Sequence, residues 1–434
     1  MRLHFRRPLK ALQCLFDSAR KLMMGALVSL MATSNGIADD FLFGFNRVFV
    51  LNTFAAEKGA QLSIQAGANS FRSEVWWTDV ELKDVGYKPN WRGANMMAET
   101  KVAASKGLKP VIILAYGNSL YGGGQPQTDE AINGFAEYCR YMANEFASYK
   151  PVFEIWNEWN GGLGNADRAK GTATSYVKMA KPCAAAVKAV NPETIVLGGS
   201  TSGYDSPWTD EAIDQGLLAF VDGFAVHPYT FYRIHNPDLR TAEHSYDYLL
   251  RLNEKLKPTG TSIYVTEMGW PTSEDHHGFS YEDSGLHSLK YFLLLKTLDS
   301  IKGLHFFELV DKSTANKQDR EQQFGFWNDE YKEKPAANYL ILLHQEVPQV
   351  LSGTVDGLLT KCTILRHDLQ GGGKLLTLWG EGSATVDINR SGDSPVDDVF
   401  GGEQLKSGVN SISLTDKPRS YILAEDEFTA GCNL

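Results

Sequence analysis

From about residue 41 the chain alternates short β-type runs with helical stretches, and the cycle repeats about eight times. The runs are Phe41–Phe49, Ser70–Trp77, Pro110–Tyr116, Val152–Glu158, Thr194–Gly198, Gly223–Tyr229, Ser262–Glu267 and Gly303–Val310. Between them lie helical patterns such as Ala131–Ala147, Thr174–Ala189, Ser245–Leu256 and Ser284–Asp299. Strands joined by helical crossovers run parallel. Eight such units predict a closed (β/α)8 TIM barrel of the α/β class, not an open sheet. The last barrel helix is placed at Pro335–Gln345, with Pro335 in its first turn, where the missing N–H costs nothing.

After about residue 350 the pattern changes. The runs Thr363–Leu369, Lys374–Trp379, Ala384–Ile388, Asn410–Leu414 and Ser420–Ala424 are separated by turns such as Gly371-Gly372-Gly373 and Ser391-Gly392-Asp393. This predicts a small antiparallel β-domain of sandwich type packed on the barrel. The other end begins with a basic stretch (Arg6, Arg7, Lys10, Arg20, Lys21), then an apolar run over Leu22–Ala32 and small residues at Gly36-Ile37-Ala38. That order is the layout of a signal peptide. The expected organisation is therefore a signal peptide over 1–38, a catalytic barrel over 39–349 and an accessory β-domain over 350–434. The protein is expected to be exported, periplasmic or secreted. The apolar run is too short for a stable span, so no membrane insertion is expected once it is removed.

Composition narrows the function classes. The formal charge of −10 and the lack of a basic stripe argue against a nucleic-acid partner. The five cysteines (Cys14, Cys139, Cys183, Cys362, Cys432) show no metal-ligand spacing. Cys139 with Cys183, and Cys362 with Cys432, are each compatible with a disulfide or with buried thiols, since an export context permits bridges without requiring them. His276-His277 and His227 lack the spacing of a metal helix, and no phosphate-binding G-x-x-x-x-G-K or nucleophile-elbow G-x-S-x-G run is present. No cofactor is called for, and the oligomeric state stays open.

In a barrel of this kind the active site forms where the carboxyl ends of the strands converge, so the acidic residues that end strands carry the question. Glu158 ends the fourth run in Phe153-Glu154-Ile155-Trp156-Asn157-Glu158, and Glu267 ends the seventh in Tyr264-Val265-Thr266-Glu267-Met268-Gly269-Trp270. Strands four and seven lie roughly across the barrel mouth from each other. Two facing carboxyl groups are the equipment of glycoside hydrolysis: one donates a proton to the leaving oxygen, the other attacks or supports the anomeric centre. Glu154 shares the face of Glu158 by strand parity but lies deeper, which marks it as structural.

The runs Trp156-Asn157-Glu158 and Thr266-Glu267-Met268-Gly269-Trp270 resemble the strand-four and strand-seven signatures of the clan A retaining glycoside hydrolases. The resemblance is to family 39-like members and to glycosidases encoded with bacterial exopolysaccharide genes, over roughly residues 40 to 430. It implies that Glu158 is the general acid/base and Glu267 the nucleophile. It implies that Asn157 hydrogen-bonds the sugar 2-hydroxyl, that Arg72 keeps the nucleophile ionised, and that His227 and Tyr229 line the site, with the tyrosine bonded to the nucleophile. Trp270 is expected as a sugar platform. Glu158 is expected to sit above the ordinary carboxylate range while Glu267 is ionised. One departure stands out: many relatives carry a Trp at the end of strand eight, where this chain has Phe306-Phe307-Glu308 and no Trp until Trp327. The implied function is a retaining β-glycoside hydrolase acting on a poly- or oligosaccharide, with a bacterial exopolysaccharide as one candidate. The alternatives are a transglycosylase on the same scaffold and a non-catalytic carbohydrate-binding protein.

Overall fold

The computed structural model describes residues 41–46, 53–169, 171–203, 206–230, 239–313, 315–424 and 428–433. The signal-peptide reading of 1–38 and the end of the first run, 47–49, lie outside the described residues.

Eight parallel strands close into a barrel: β1 (Leu42–Asn46), β2 (Ser70–Trp76), β3 (Lys109–Ala115), β4 (Val152–Ile155), β5 (Ile195–Ser202), β6 (Gly223–His227), β7 (Ser262–Met268) and β8 (Ile301–Phe306). Closure comes from β1 pairing with β8, Leu42 opposite Gly303. The crossovers carry α1 (Thr53–Gln65), α2 (Trp91–Ser105), α3 (Asp129–Phe146), α4 (Ala173–Val190), α5 (Ser206–Asp214), α6 (Ala242–Leu256) and α7 (Tyr281–Leu295), and α8 (Pro335–Glu346) follows β8. Several of these helices start where the sequence supplies a cap. Thr128, Thr172, Thr241 and Ser280 each accept a hydrogen bond from the backbone N–H three residues on, satisfying donors that the first helical turn leaves open. The sequence patterns named above do not include α1, α2 or α5.

Barrel interiors are usually filled by branched apolar side chains. Here Ser70, Arg72, Glu154, Ser200, His227, Thr266 and His305 are all buried at the strands, so a polar core lies under the active face. Buried polar groups persist only when they are hydrogen-bonded, which makes this network a structural requirement before it is anything else.

Several strand ends differ from the sequence reading: β6 stops at His227 and β8 at Phe306, and two further differences shape the site. β4 stops at Ile155 instead of Glu158, because Trp156 and Glu158 have left-handed backbones with φ of 65° and 50°. β5 runs past Gly198 to Ser202 through a register shift between Gly199 and Thr201, with Ser200 at φ 45°. Bulges and positive-φ residues of this kind concentrate beside functional sites, where they re-aim side chains.

The C-terminal part contains β9 (Val350–Asp356), β10 (Cys362–Leu369), β11 (Lys374–Gly380), β12 (Thr385–Arg390), β13 (Gly408–Ser413), β14 (Arg419–Leu423) and β15 (Phe428–Asn433). They form two antiparallel sheets, ordered β9-β10-β11-β14 and β13-β12-β15. Ile364, Leu376 and Leu378 from the first share one apolar core with Val386, Ile388 and Ile412 from the second. The sandwich meets the barrel through an apolar contact, in which Leu365, Leu369, Leu375 and Trp379 join the barrel's core, and through polar pins. The Trp379 indole donates to Glu243 at 2.7 Å, the buried Lys290 pairs with Asp416, and the His367 ring lies 2.9 Å from the Leu293 carbonyl.

Both cysteine pairs are bridged: Cys139–Cys183 ties α3 to α4 and Cys362–Cys432 ties the two sheets of the sandwich. No helix among the described residues is long and apolar enough to cross a membrane. Because a bridge limits the freedom of the unfolded chain, the double substitution Cys139→Ser and Cys183→Ser is expected to lower stability by about 2–4 kcal/mol with the fold kept. Denaturant titration against the parent protein reads this; unchanged stability would contradict it.

Candidate active site

Strand ends bring the sequence-selected residues to one cleft of about 1010 Å³, whose lining includes Arg72, Asn157, Glu158, Tyr229 and Glu267. A carboxylate oxygen of Glu158 and one of Glu267 lie within 4.8 Å of each other. Both side chains are partly open, 16% and 15% exposed, so a ligand can reach them. Glu158 gets there because the left-handed turn after β4 swings it inward, and its backbone N–H is fixed 2.8 Å from the Ser200 carbonyl at the β5 bulge.

Arg72 lies at the centre. It is buried, and each of its five N–H groups has an oxygen acceptor: Nε and Nη2 bind the two oxygens of Glu154 at 2.6 and 3.0 Å, Nη2 also binds Asn157 Oδ1 at 2.9 Å, and Nη1 binds Asn46 Oδ1 at 2.7 Å and Glu267 Oε2 at 3.1 Å. Glu267 is held a second time at Oε1 by the Tyr229 hydroxyl at 3.0 Å. Asn157 in turn donates to the Tyr116 hydroxyl at 3.0 Å and faces the cleft.

His227 is fully buried, with Nδ1 2.9 Å from Glu158 Oε1 and Nε2 3.7 Å from Glu154 Oε1. Burial opposes its charge, but Glu267, Glu154 and Glu158 outweigh that and raise it to about 9. Glu158 moves the other way from the expectation. Burial would raise its carboxyl, yet the adjacent His227 and the Arg72 charge lower it below the ordinary value. The proton expected on Glu158 is therefore held by its partner across a 2.9 Å contact. Glu154, pushed up by burial and down more strongly by Arg72 and His227, is held below the ordinary carboxylate value.

Trp270 corrects another expectation. It is 2% exposed, packs on His287 and Tyr291, and donates its indole N–H to the Arg240 carbonyl. It belongs to the core under the rim and is not a sugar platform. At strand eight the aromatic that faces the cleft is Phe307, followed by Glu308, which also lines it; Trp327 is buried against Phe45. Glu154, Asn46, Ser200 and Thr266 join the site as well, Glu154 by its place on the face of Glu158 and the others without any motif of their own. The signal for Glu154 was its parity with Glu158. Asn46, Ser200 and Thr266 had no signal in one sequence.

Glu158, His227 and Glu267 have a spacing that a metal ion could bridge. The donor set does not fit one. The Arg72 guanidinium already stands against Glu267 at 3.1 Å and 3.3 Å from His227 Nε2, a fixed cation beside the position a metal ion would take.

A closed barrel with two carboxyl groups across its mouth, one on an arginine and one on a histidine, is the arrangement of a clan A glycoside hydrolase. A family profile described as Cellulase (glycosyl hydrolase family 5) matches residues 34–293, and the chain belongs to that family. No curated protein matches its sequence. Among solved structures, a family 39 glycoside hydrolase from the gut symbiont Bacteroides cellulosilyticus WH2 shares 21% identity, with 89% of this chain and 82% of that one covered at a TM-score of 0.70. A monomeric β-xylosidase from Caulobacter crescentus CB15 aligns over 90% of this chain and 95% of its own at 13% identity and a TM-score of 0.60. A family 5 subfamily 18 protein from Streptomyces cattleya, in complex with Manβ1-4GlcNAc, covers 70% of this chain and 80% of its own at 14% identity and 0.57. The two alignments that span about 90% of this chain take in the C-terminal sheets as well as the barrel, and at these identities the likeness is one of fold.

The charge arrangement predicts that His227 is still protonated at neutral pH. Its imidazole resonances should titrate near 9, and Glu158→Gln, which removes a carboxylate, should move the midpoint to lower pH. A histidine titrating near 6.5 in the parent protein would contradict this.

Proposed function

We propose that the chain is a retaining β-glycoside hydrolase, with Glu267 as nucleophile and Glu158 as general acid/base. The observation that carries the reading is the 4.8 Å limit between the two carboxylates. Retaining enzymes hold their carboxyl groups about 5–5.5 Å apart, whereas inverting ones need about 6.5–9.5 Å to admit a water. Glu267 attacks the anomeric carbon as Glu158 delivers a proton to the leaving oxygen, and a glycosyl ester forms on Glu267. Glu158 then takes a proton from the water that breaks the ester. Asn157, fixed between Arg72 and Tyr116, is placed to meet the hydroxyl next to the reacting carbon.

The proton comes from a pair. His227 and Glu158 hold one proton between them, and its transfer along the 2.9 Å contact arms Glu158 when the substrate is in place. The pair loses that proton only near the His227 value of about 9. The basic limb of kcat/KM should therefore lie above that of a lone carboxylic acid, and His227→Asn should move it to lower pH. A limb unchanged in that variant would contradict the shared proton.

The substrate class follows from the size and neighbours of the cleft. A volume of about 1010 Å³ lies at the top of the usual range for ligand sites, about 300–1,000 Å³, and takes more than a single sugar ring. The folds it resembles include one named a β-xylosidase and one bound to a β1-4 disaccharide, which supports a β-linked oligo- or polysaccharide. A bacterial exopolysaccharide fits the export signal read ahead of residue 38, and we place the enzyme in the periplasm or outside the cell on that reading.

A panel of aryl β-glycosides tests the assignment. Glu267→Ala should lower kcat/KM by at least about 10³-fold, and azide should restore turnover as a glycosyl azide of inverted configuration. Activity that survives in Glu267→Ala without azide would overturn the nucleophile.

A further inference from the structure

We propose that Glu154 is a positioning residue for the hydrolysis: acting through Arg72, it decides where the nucleophile stands and how much of the arginine's charge the nucleophile meets. The inference rests on Glu267 being the nucleophile.

The argument begins with the geometry of a guanidinium. Its fork prefers to close on a carboxylate with two parallel N–H bonds. In this barrel the fork made by Nε and Nη2 closes on Glu154, at 2.6 and 3.0 Å. Glu267 receives one N–H only, from Nη1 to Oε2 at 3.1 Å, and its Oε1 is taken by Tyr229. If the fork were free to turn, it would clasp Glu267 with both arms, and a carboxylate clasped in that way is a poor nucleophile. By occupying the fork, Glu154 leaves Glu267 held at two points and still able to attack.

Glu154 can do this because it is itself fixed. It is fully buried at β4, and its Oε1 accepts from Thr266 Oγ1 at 2.9 Å and from Ser200 Oγ, so with the two bonds from Arg72 it accepts four hydrogen bonds. Those partners are the neighbours of the reacting groups. Thr266 precedes Glu267 on β7, and the Ser200 carbonyl holds the Glu158 backbone N–H. One carboxylate on strand four therefore ties strands two, five and seven together beneath both catalytic side chains. It also competes with Glu267 for the charge of Arg72. The groups facing it and Glu267 are Arg72 from β2, Glu158 after β4, His227 and Tyr229 at β6 and His305 from β8. Of these Arg72 and the protonated His227 are positive against three carboxylates, and Glu154, closed on the Arg72 fork, takes up part of the charge that Glu267 would otherwise meet alone.

The test compares Glu154→Gln, Arg72→Gln and Glu154→Asp, each checked for native circular dichroism and melting temperature, using an aryl β-glycoside over a range of pH. Glu154→Gln leaves the full Arg72 charge on Glu267. We expect kcat/KM to fall by about 10²-fold or more and the acidic limb to move to lower pH. Arg72→Gln removes the cation and should move the limb the opposite way, which a general loss of packing would not do. Glu154→Asp keeps the charge and should return the limb to its parent position with kcat still reduced. Should Glu154→Gln not be recovered folded, Thr266→Val, which preserves shape and removes one bond to Glu154, is expected to lower kcat by about 10-fold with KM within about 3-fold. A folded Glu154→Gln with an unmoved limb and kcat/KM within about 3-fold of the parent would overturn the proposal, and so would a parent-like kcat in Thr266→Val. The Glu267→Ala control separates the two readings. Full activity there removes the nucleophile assignment, whereas loss of activity there beside a normal Glu154→Gln removes the role of Glu154 alone.

Discussion

The guanidinium of Arg72 is the interaction on which the site depends. A buried arginine is expensive to hold unless every N–H has a partner, and here all five do, on Glu154, Asn157, Asn46 and Glu267. Those partners come from strands one, four and seven, so satisfying one cation fixes the relative positions of side chains far apart in sequence. The polar barrel interior, unusual for a core, follows from that need. Glu158 and Glu267 lie at the solvent end of the network and inherit its rigidity, which their proposed roles require because small misplacements are costly.

The fold was legible because the alternation of strand and helix is a global pattern. All eight strands, the four interior helices named from periodicity and the last helix appear close to where the chain's rhythm places them. β9 and β15 are hidden by small residues and partial exposure that leave little apolar alternation. Strand ends at the site were misread for a physical reason: Trp156, Glu158 and Ser200 adopt left-handed backbones that no propensity favours. The tertiary network pays for that strain.

The site was legible to the extent that chemistry was concentrated in short runs. Glu158, Glu267, Arg72, Asn157, His227 and Tyr229 meet as their strand ends suggest. Trp270 misled, because an aromatic after a strand end serves a rim and a core equally well, and its indole is committed to the Arg240 carbonyl. Glu154 was undervalued because depth in a barrel ordinarily means packing; its importance lies in what it does to Arg72, which only distances reveal. The placement of the proton on His227 was likewise invisible, since it depends on three carboxylates contributed by two other strands.

The central claim is that two carboxylates no more than 4.8 Å apart at their nearest oxygens act on one anomeric carbon by double displacement. The stereochemistry of the first product reads this directly. If an aryl β-glycoside is mixed with the enzyme in deuterium oxide and followed by proton NMR, the account predicts that the β-anomer of the released sugar is seen first and the α-anomer only later, by mutarotation. Release of the α-anomer first would show inversion through a bound water and contradict the account.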